Sequence, residues 1–324
     1  MNVLLWHVHG SWTTSFVHGD HRYLIPTTPD RGAYGLGRAR TYPWPDTAVE
    51  VTPDDLPATD VDLVILQRPE ELDLAQEWLG RRPGHDVPAI YVEHNTPKGD
   101  VPHTRHPMAD RDDLLVAHVS GFNQIFWDTG TTPTTVVDHG IVAPSASYTG
   151  ELDRLAVVIN EPIRRGRVTG TDLLPQFAEI APLDVYGMGV TGLAEHLGVP
   201  SDRIISHDDV PQDRMHGELA QRRAYLHLCR WTSLGLSLIE AMSIGMPVIA
   251  LATTEAVTAV PPDAGALATR TDTLLDAARR FLADPAAARQ AGAAAQAAAR
   301  EKYGLDRFLA DWDRLLEEEV CGSR

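Results

Sequence analysis

Short apolar runs alternate with longer stretches of helical period along most of the chain. NVLLWHV (2–8), VDLVILQ (61–67), AIYVEH (89–94) and LLVAHVS (114–120) are nearly all apolar, rich in Val, Ile and Leu, and bounded by Gly, Pro or Asp. That is the pattern of strands buried on both faces. ELDLAQEWLG (71–80) reads as a helix between two of them, and TTVVDHG (134–140) adds another strand. Pro69 suits the first position of that helix, with Glu70 and Glu71 as first-turn charges on its dipole. Strand, helix, strand in this order predicts a parallel sheet.

A second series begins near residue 151. LAVVIN (155–160), LDVYGMG (183–189), RIISH (203–207), AYLHLC (224–229) and PVIAL (247–251) are its strands, with helices at TDLLPQFAEIA (171–181) and LGLSLIEAMSIG (234–245). HGIVAPSASYTG (139–150) has no period and reads as a linker. The expected division is therefore 1–150 and 151–305. The end of the chain is helical: one helix stops before Pro285, an Ala-rich one follows, and 306–324 carries Phe308, Leu309, Trp312, Leu315 and Leu316 on one face.

The length of 324 residues agrees with two domains. Acidic residues outnumber basic ones, 45 to 28, for a net charge of −17. A nucleic-acid backbone or an anionic membrane would be repelled, whereas one local basic pocket for a small anion is compatible with that charge. Cys229 and Cys321 are too few for a disulfide scaffold or a thiolate zinc site, and a reducing, cytoplasmic setting is expected. The opening MNVLLWHVHG has no basic start or small-residue cleavage site and does not read as a signal peptide. No apolar run reaches the length of a membrane span.

The richest chemistry lies in RWTSLGLSLIEAMSIGMPVIAL (230–251). A strand ends at Cys229, a turn containing Gly235 opens a helix, Gly245 closes it, and Pro247 precedes the next strand. Free N–H groups at the helix start, at the carboxyl edge of a parallel sheet, form an anion site suited to phosphate. Glu240 stands inside this helix among apolar neighbours and needs a partner, either a ligand hydroxyl or a structural Arg.

This stretch resembles the signature of the family 4 retaining glycosyltransferases of GT-B fold, through Gly235, Leu236, Glu240, Ala241, Met242, Gly245, Pro247, Val248, Ile249 and Ala250. The family's two glutamates, seven residues apart, hold the donor sugar and the ribose. Glu240 matches the second, and Thr232 stands where the first would be. NEPIRRGRVTGTDLLPQF (160–177) is similar to the family's diphosphate segment, with Arg164 at the Arg position and Thr169 at the usual Lys; Arg165 or Arg167 can restore the missing charge. YGMG, with Gly187, resembles the glycine-containing strand end of the second domain. HDDVPQDRM, with Val210, resembles the loop against the nucleobase. His94 in VEHN matches a His that many members carry beside the reacting centre.

The resemblance implies an α/β chain of GT-B fold. Two Rossmann-like domains would face each other across a cleft, and the C-terminal helix would cross back to the first. It implies transfer of a hexose-like sugar from a nucleotide-diphosphate sugar to an acceptor, with retention and without a metal or other cofactor. On this reading His94 and Arg164 are catalytic. Gly10, Arg164, Arg165, Thr169, Gly187, Val210, Thr232, Ser233, Leu234, Gly235, Leu236 and Glu240 bind the donor, and His9 and Trp12 the acceptor. Three alternatives stand beside it. One is a GT-B epimerase acting on the nucleotide sugar, and another a binding protein of weak or no activity, suggested by Thr232 and Thr169. The third is a zinc hydrolase, because His7 and His9, two apart on a strand, would face one side and can share a metal.

Overall fold

The strand logic of the sequence becomes two sheets in the computed structural model, which describes residues 1–322. One compact unit comprises Met1–Val142 together with the segment from Leu305, and the other comprises Ala143–Gly304.

The first unit runs β1 (Asn2–Leu5), α1 (Gly10–Phe16), β2 (Arg22–Pro26), β3 (Ala48–Val51), β4 (Leu63–Leu66), α2 (Glu71–Leu79), β5 (Ala89–Glu93), β6 (Leu115–His118), α3 (Gly121–Phe126) and β7 (Thr134–Val136). Its seven strands are all parallel, in the order β3-β2-β1-β4-β5-β6-β7. Leu4, Leu24, Val64, Leu66, Tyr91 and Val116 share one buried cluster with Ala75 and Leu79 of α2.

The second unit runs β8 (Leu152–Val158), α4 (Pro162–Arg165), α5 (Leu174–Ala178), β9 (Leu183–Gly187), α6 (Leu193–Leu197), β10 (Ile204–Asp208), α7 (Gln212–Leu219), β11 (Arg222–His227), α8 (Leu236–Ile244), β12 (Val248–Leu251), α9 (Ala256–Ala259), β13 (Gly265–Ala268), α10 (Thr271–Ala283) and α11 (Pro285–Tyr303). Its six parallel strands lie in the order β10-β9-β8-β11-β12-β13. Leu155, Val157, Leu183, Val185, Ala224, Leu226 and Ile249 form its core with Phe177 of α5 and Phe281 of α10. Asp284 caps α11 by accepting the N–H groups of Ala286 and Ala287 at 3.0 Å, and Pro285 takes the first turn, where no N–H is needed.

The last helix, α12 (Leu305–Gly322), belongs to the first unit. Phe308, Trp312 and Leu316 are fully buried on it. Trp312 meets the rings of Trp12 at 5.7 Å and Phe16 at 5.1 Å, both on α1.

Three strands escape the apolar-run reading. β2 is short and ends in Pro26. β3 is an edge strand whose two middle positions, Val49 and Glu50, are only half-buried. β13 is a four-residue edge strand, Gly-Ala-Leu-Ala, with little side chain to mark it. Strand β1 is also shorter than expected and stops at Leu5, so His7 and His9 lie beyond it and do not share a strand face. His7 turns to Trp44 and the Gly37 carbonyl, and His9 to His94. Glu71 is an acidic residue in the first turn of α2, as expected. It is fully buried, and its carboxylate accepts the N–H groups of Gln67 at 2.6 Å and Arg68 at 3.2 Å, closing the β4–α2 turn. Burial raises its pKa.

Candidate functional site

In a doubly wound sheet, ligands bind outside the carboxyl ends of the strands, where the strand order reverses. The topology puts that point between β8 and β11 in the second unit and between β1 and β4 in the first.

In the second unit the β8 end leads into Asn160 and Glu161. The Asn160 side-chain oxygen accepts the Met188 N–H at 2.9 Å, which ties this loop to the end of β9. Glu161 has φ +52, in the left-handed region. Asp209 at +49 and Thr254 at +51 do likewise just past β10 and β12. Three non-glycine residues in this conformation at one sheet edge cost about 1–3 kcal/mol each, the kind of stored strain that gathers at working sites.

The arginines of 164–167 separate by partner. Arg164 is exposed and paired with Glu161. Arg167 binds Asp172 at 3.0 Å, and Arg230 grips the same carboxylate at 2.6 and 3.0 Å. The half-buried Arg165 guanidinium has no ion pair or hydrogen bond among the described residues. Its charge acts on the buried Cys229 thiol, which burial nonetheless pushes up to about 11. The segment that follows Arg165 lies against the 230–235 turn, where the Val168 carbonyl accepts the N–H groups of Arg230 at 2.8 Å and Trp231 at 3.4 Å. The Thr169 hydroxyl is held internally, donating to the Gly166 carbonyl at 3.0 Å and lying 2.8 Å from the Thr171 hydroxyl.

The turn itself is tied down from β12. Thr253 donates to the Cys229 carbonyl at 2.7 Å, and the Glu255 N–H reaches the Ser233 carbonyl at 3.3 Å. Ser233 and Leu234 are buried, while Thr232 is half-buried. Gly235 is required, since a Cβ there would lie 2.7 Å from Cε1 of His227. Burial holds the His227 ring neutral, with its pKa lowered to about 4. Leu236 then starts α8; the Leu238 N–H turns back to the Gly235 carbonyl at 2.9 Å, and the N–H groups ahead of it have no carbonyl one turn back within the helix. One turn later Glu240 is 6% exposed. Its partners are not an Arg: Gln212 Nε2 donates at 3.0 Å and His216 Nε2 at 3.3 Å, both from α7. Gly187 ends β9 at φ +136, and the half-buried Val210 leads into α7.

The first unit gathers imidazoles at its carboxyl edge. His9 and His94 lie 4.0 Å apart between ring centroids with their planes tilted by 34°, His139 lies 6.5 Å from His94, and Trp12 meets His94 edge-on at 5.0 Å. Burial lowers His9 to about 4 and His139 to about 3, and puts His94 well below its ordinary value. Arg68, which follows β4, adds to the lowering at His9. The His94 Nε2 atom is buried without a partner. These are neutral rings, able to donate or accept a hydrogen bond to a hydroxyl. Trp12 is fully buried against α12 and Phe16, so it has no face for a sugar, which corrects its placement as an acceptor residue. Gly10 is covered by Tyr42, whose Cε2 lies 3.2 Å from where a Cβ would stand. Tyr42 and Arg68, the latter stacked on Tyr34 at 4.2 Å, carry no motif in the sequence; their place comes from the long 27–47 loop folding back over the sheet edge.

Among the described residues no group of three or more His, Cys, Asp or Glu is arranged to hold a metal ion. Two cavities, about 490 Å³ beside Asp20, His21 and Asp46 and about 560 Å³ beside Val257, Gly265 and Arg280, hold none of the candidate residues.

Residues 164–313 match the family described as glycosyl transferase-like. No curated protein sequence matches the chain. Similar solved structures include sucrose-phosphate synthase from Thermosynechococcus elongatus, 14% identical over 100% of both chains with TM-score 0.75. HepE from Anabaena, in complex with UDP and glucose, is 15% identical over 98% of this chain and 99% of its own, with TM-score 0.73. AviGT4, a glycosyltransferase involved in avilamycin A biosynthesis, is 18% identical over 99% and 98%, with TM-score 0.66. The resemblance drawn from the 230–251 stretch therefore holds at the level of fold: residues 164–313 carry the glycosyl transferase-like match, and the chain has the GT-B fold of these glycosyltransferases.

Proposed function

We propose that the chain is a retaining glycosyltransferase of the family 4 kind, moving a hexose-like sugar from a nucleoside-diphosphate sugar to an acceptor hydroxyl. The observation that carries this reading is the β8/β11 switch point. There an unpaired guanidinium, Arg165, stands beside the turn that opens α8, and the buried carboxylate of Glu240 lies one turn into that helix. The complexes of HepE with UDP and with UDP-glucose support a nucleoside-diphosphate sugar as donor.

The costly event in such a transfer is departure of the nucleoside diphosphate, which develops negative charge in a site of low dielectric. A fixed cation and preorganised N–H groups stabilise that charge without reorganising. Arg165 and the N–H groups of 233–236 supply them, Glu240 takes the ribose hydroxyls, and the Val210 loop meets the base. Arg164, already neutralised by Glu161, is the weaker diphosphate ligand. The acceptor attacks on the face the diphosphate leaves, without a covalent protein intermediate, and its proton goes to the departing phosphate oxygen. His9 and His94 offer neutral hydrogen-bonding groups to the reacting sugars. A cytoplasmic setting belongs to the same reading, with Cys229 and Cys321 both free thiols. No described helix is long and apolar enough to cross a membrane.

Arg165→Ala is expected to lower affinity for UDP about tenfold or more while leaving that for uridine nearly unchanged, because only a charged hydrogen bond to phosphate is lost. Arg164→Ala is expected to change either by less than about threefold. Calorimetric titration of both ligands checks this. Equal loss for UDP and uridine in Arg165→Ala, or a larger UDP-specific loss in Arg164→Ala, contradicts the assignment.

A further inference from the structure

Glu240 has two carboxylate oxygens, and each is held by a different residue of one helix. Gln212, the first residue of α7, donates to Oε1 at 3.0 Å, and His216, one turn on, donates from Nε2 to Oε2 at 3.3 Å. His216 and Glu240 are 5% and 6% exposed, so this is an interior contact with little competition from water. Gln212 falls within the HDDVPQDRM segment, and His216 lies just beyond it. A carboxylate oxygen has more than one acceptor site, so each stays able to take a second hydrogen bond. The two donors fix the plane of the carboxylate and hence the direction of its remaining lone pairs.

The end of α7 that carries Gln212 also adjoins the turn that follows β10. Asp209 is held at φ +49 with its N–H on the Gly187 carbonyl at 3.2 Å, and the Pro211 carbonyl accepts the Met215 N–H at 2.9 Å as α7 begins. The base-side turn thus runs directly into Gln212, which holds the carboxylate.

We propose that α7 is the positioning element of the donor site: Gln212 and His216 aim the Glu240 carboxylate at the ribose hydroxyls and couple ribose recognition to the turn against the nucleobase. This rests on the reading that Glu240 meets the ribose. Gln212 and His216 are positioning residues; neither touches the ligand. Their loss leaves the Glu240 carboxylate free to rotate, so the penalty falls on the ribose hydroxyls.

The discriminating quantity is the ratio of affinities for UDP and for 2′,3′-dideoxyuridine diphosphate, measured by calorimetry on the full chain. In the wild type the ratio is expected to exceed about tenfold, the size of a hydrogen bond to a charged group. Gln212→Leu and His216→Phe are each expected to shrink it several-fold. His216→Gln, which keeps an N–H donor, is expected to preserve most of it. Weaker binding of both ligands with the ratio kept, in Gln212→Leu and His216→Phe alike, would mean that the two residues only support the fold and would overturn the proposal. Should His216→Phe fail to fold, Gln212→Leu, at a half-exposed position, decides alone. A wild type that binds UDP without any preference for ribose hydroxyls removes the role of Glu240, and the proposal falls with it. A wild type that binds no UDP contradicts the donor reading itself.

Discussion

Acidification from pH 7 to pH 5 is expected to remove most of the folding stability of this protein. Desolvation lowers six histidines, five of them strongly: the buried His118 and His227 to about 4 and His139 to about 3, and the half-buried His9 to about 4 and His94 well below 6.5, with His7 lowered in the same direction. In the unfolded chain each titrates near 6.5. Above that value neither state holds the proton and the shift has no effect. Below it the unfolded chain takes up protons that the folded one refuses, so stability falls as pH drops from about 6.5 toward 4. Each ring contributes a slope of roughly 1.4 kcal/mol per pH unit, and five together reach on the order of 10 kcal/mol by pH 5, against a typical total of about 5–15. Urea unfolding from pH 8 to 5 checks this through the slope of stability against pH, expected to correspond to about four to five protons at pH 5.5. A flat profile to pH 5 would show that the rings are not held neutral inside.

Trp312→Ala is expected to destabilise the protein by about 3–5 kcal/mol, the range for removing a large aromatic from a packed interior. Trp312 is 1% exposed and lies between Trp12, Phe16 and Phe308. Helix α12 is also held beside it. Arg307 donates to the carbonyls of Asp138 and His139 at 3.0 and 2.5 Å, and any side chain at position 140 would collide with Phe308. The helix therefore closes the first unit, and its loss exposes the aromatic face of α1. Arg314→Ala, at an exposed position of the same helix, serves as the control, with an expected change below about 0.5 kcal/mol. A change below about 1 kcal/mol for Trp312→Ala in thermal or urea unfolding would show that α12 contributes little to the unit.

How far the sequence could be read depends on where each feature's cause lies. Interior parallel strands are buried on both faces, so β4, β5, β9, β11 and β12 stand out as apolar runs. Edge strands β3 and β13 are not so constrained and leave no such run. The phosphate-type turn at 230–236 was legible because its glycine and helix start are local. Which arginine of 164–167 stays unpaired was not: it depends on Asp172 and Glu161 claiming the neighbours. Trp12 looked available for an acceptor because nothing near it in sequence shows that α12, some 300 residues on, covers it. Glu240 was visible as a buried charge needing a partner, but Gln212 and His216 were not, since a contact between two helices leaves no spacing pattern.

The central claim, sugar transfer from a nucleoside-diphosphate donor with retention, is tested most directly by turnover. The protein is incubated with a panel of nucleoside-diphosphate hexoses, with and without a mixture of hydroxyl acceptors, and followed by NMR for nucleoside diphosphate release and for the anomeric signal of the new glycoside. The account predicts release that depends on acceptor and a product with the anomeric configuration of the donor. Interconversion of the donor sugar without acceptor, an inverted product, or no release from any donor that binds would contradict it.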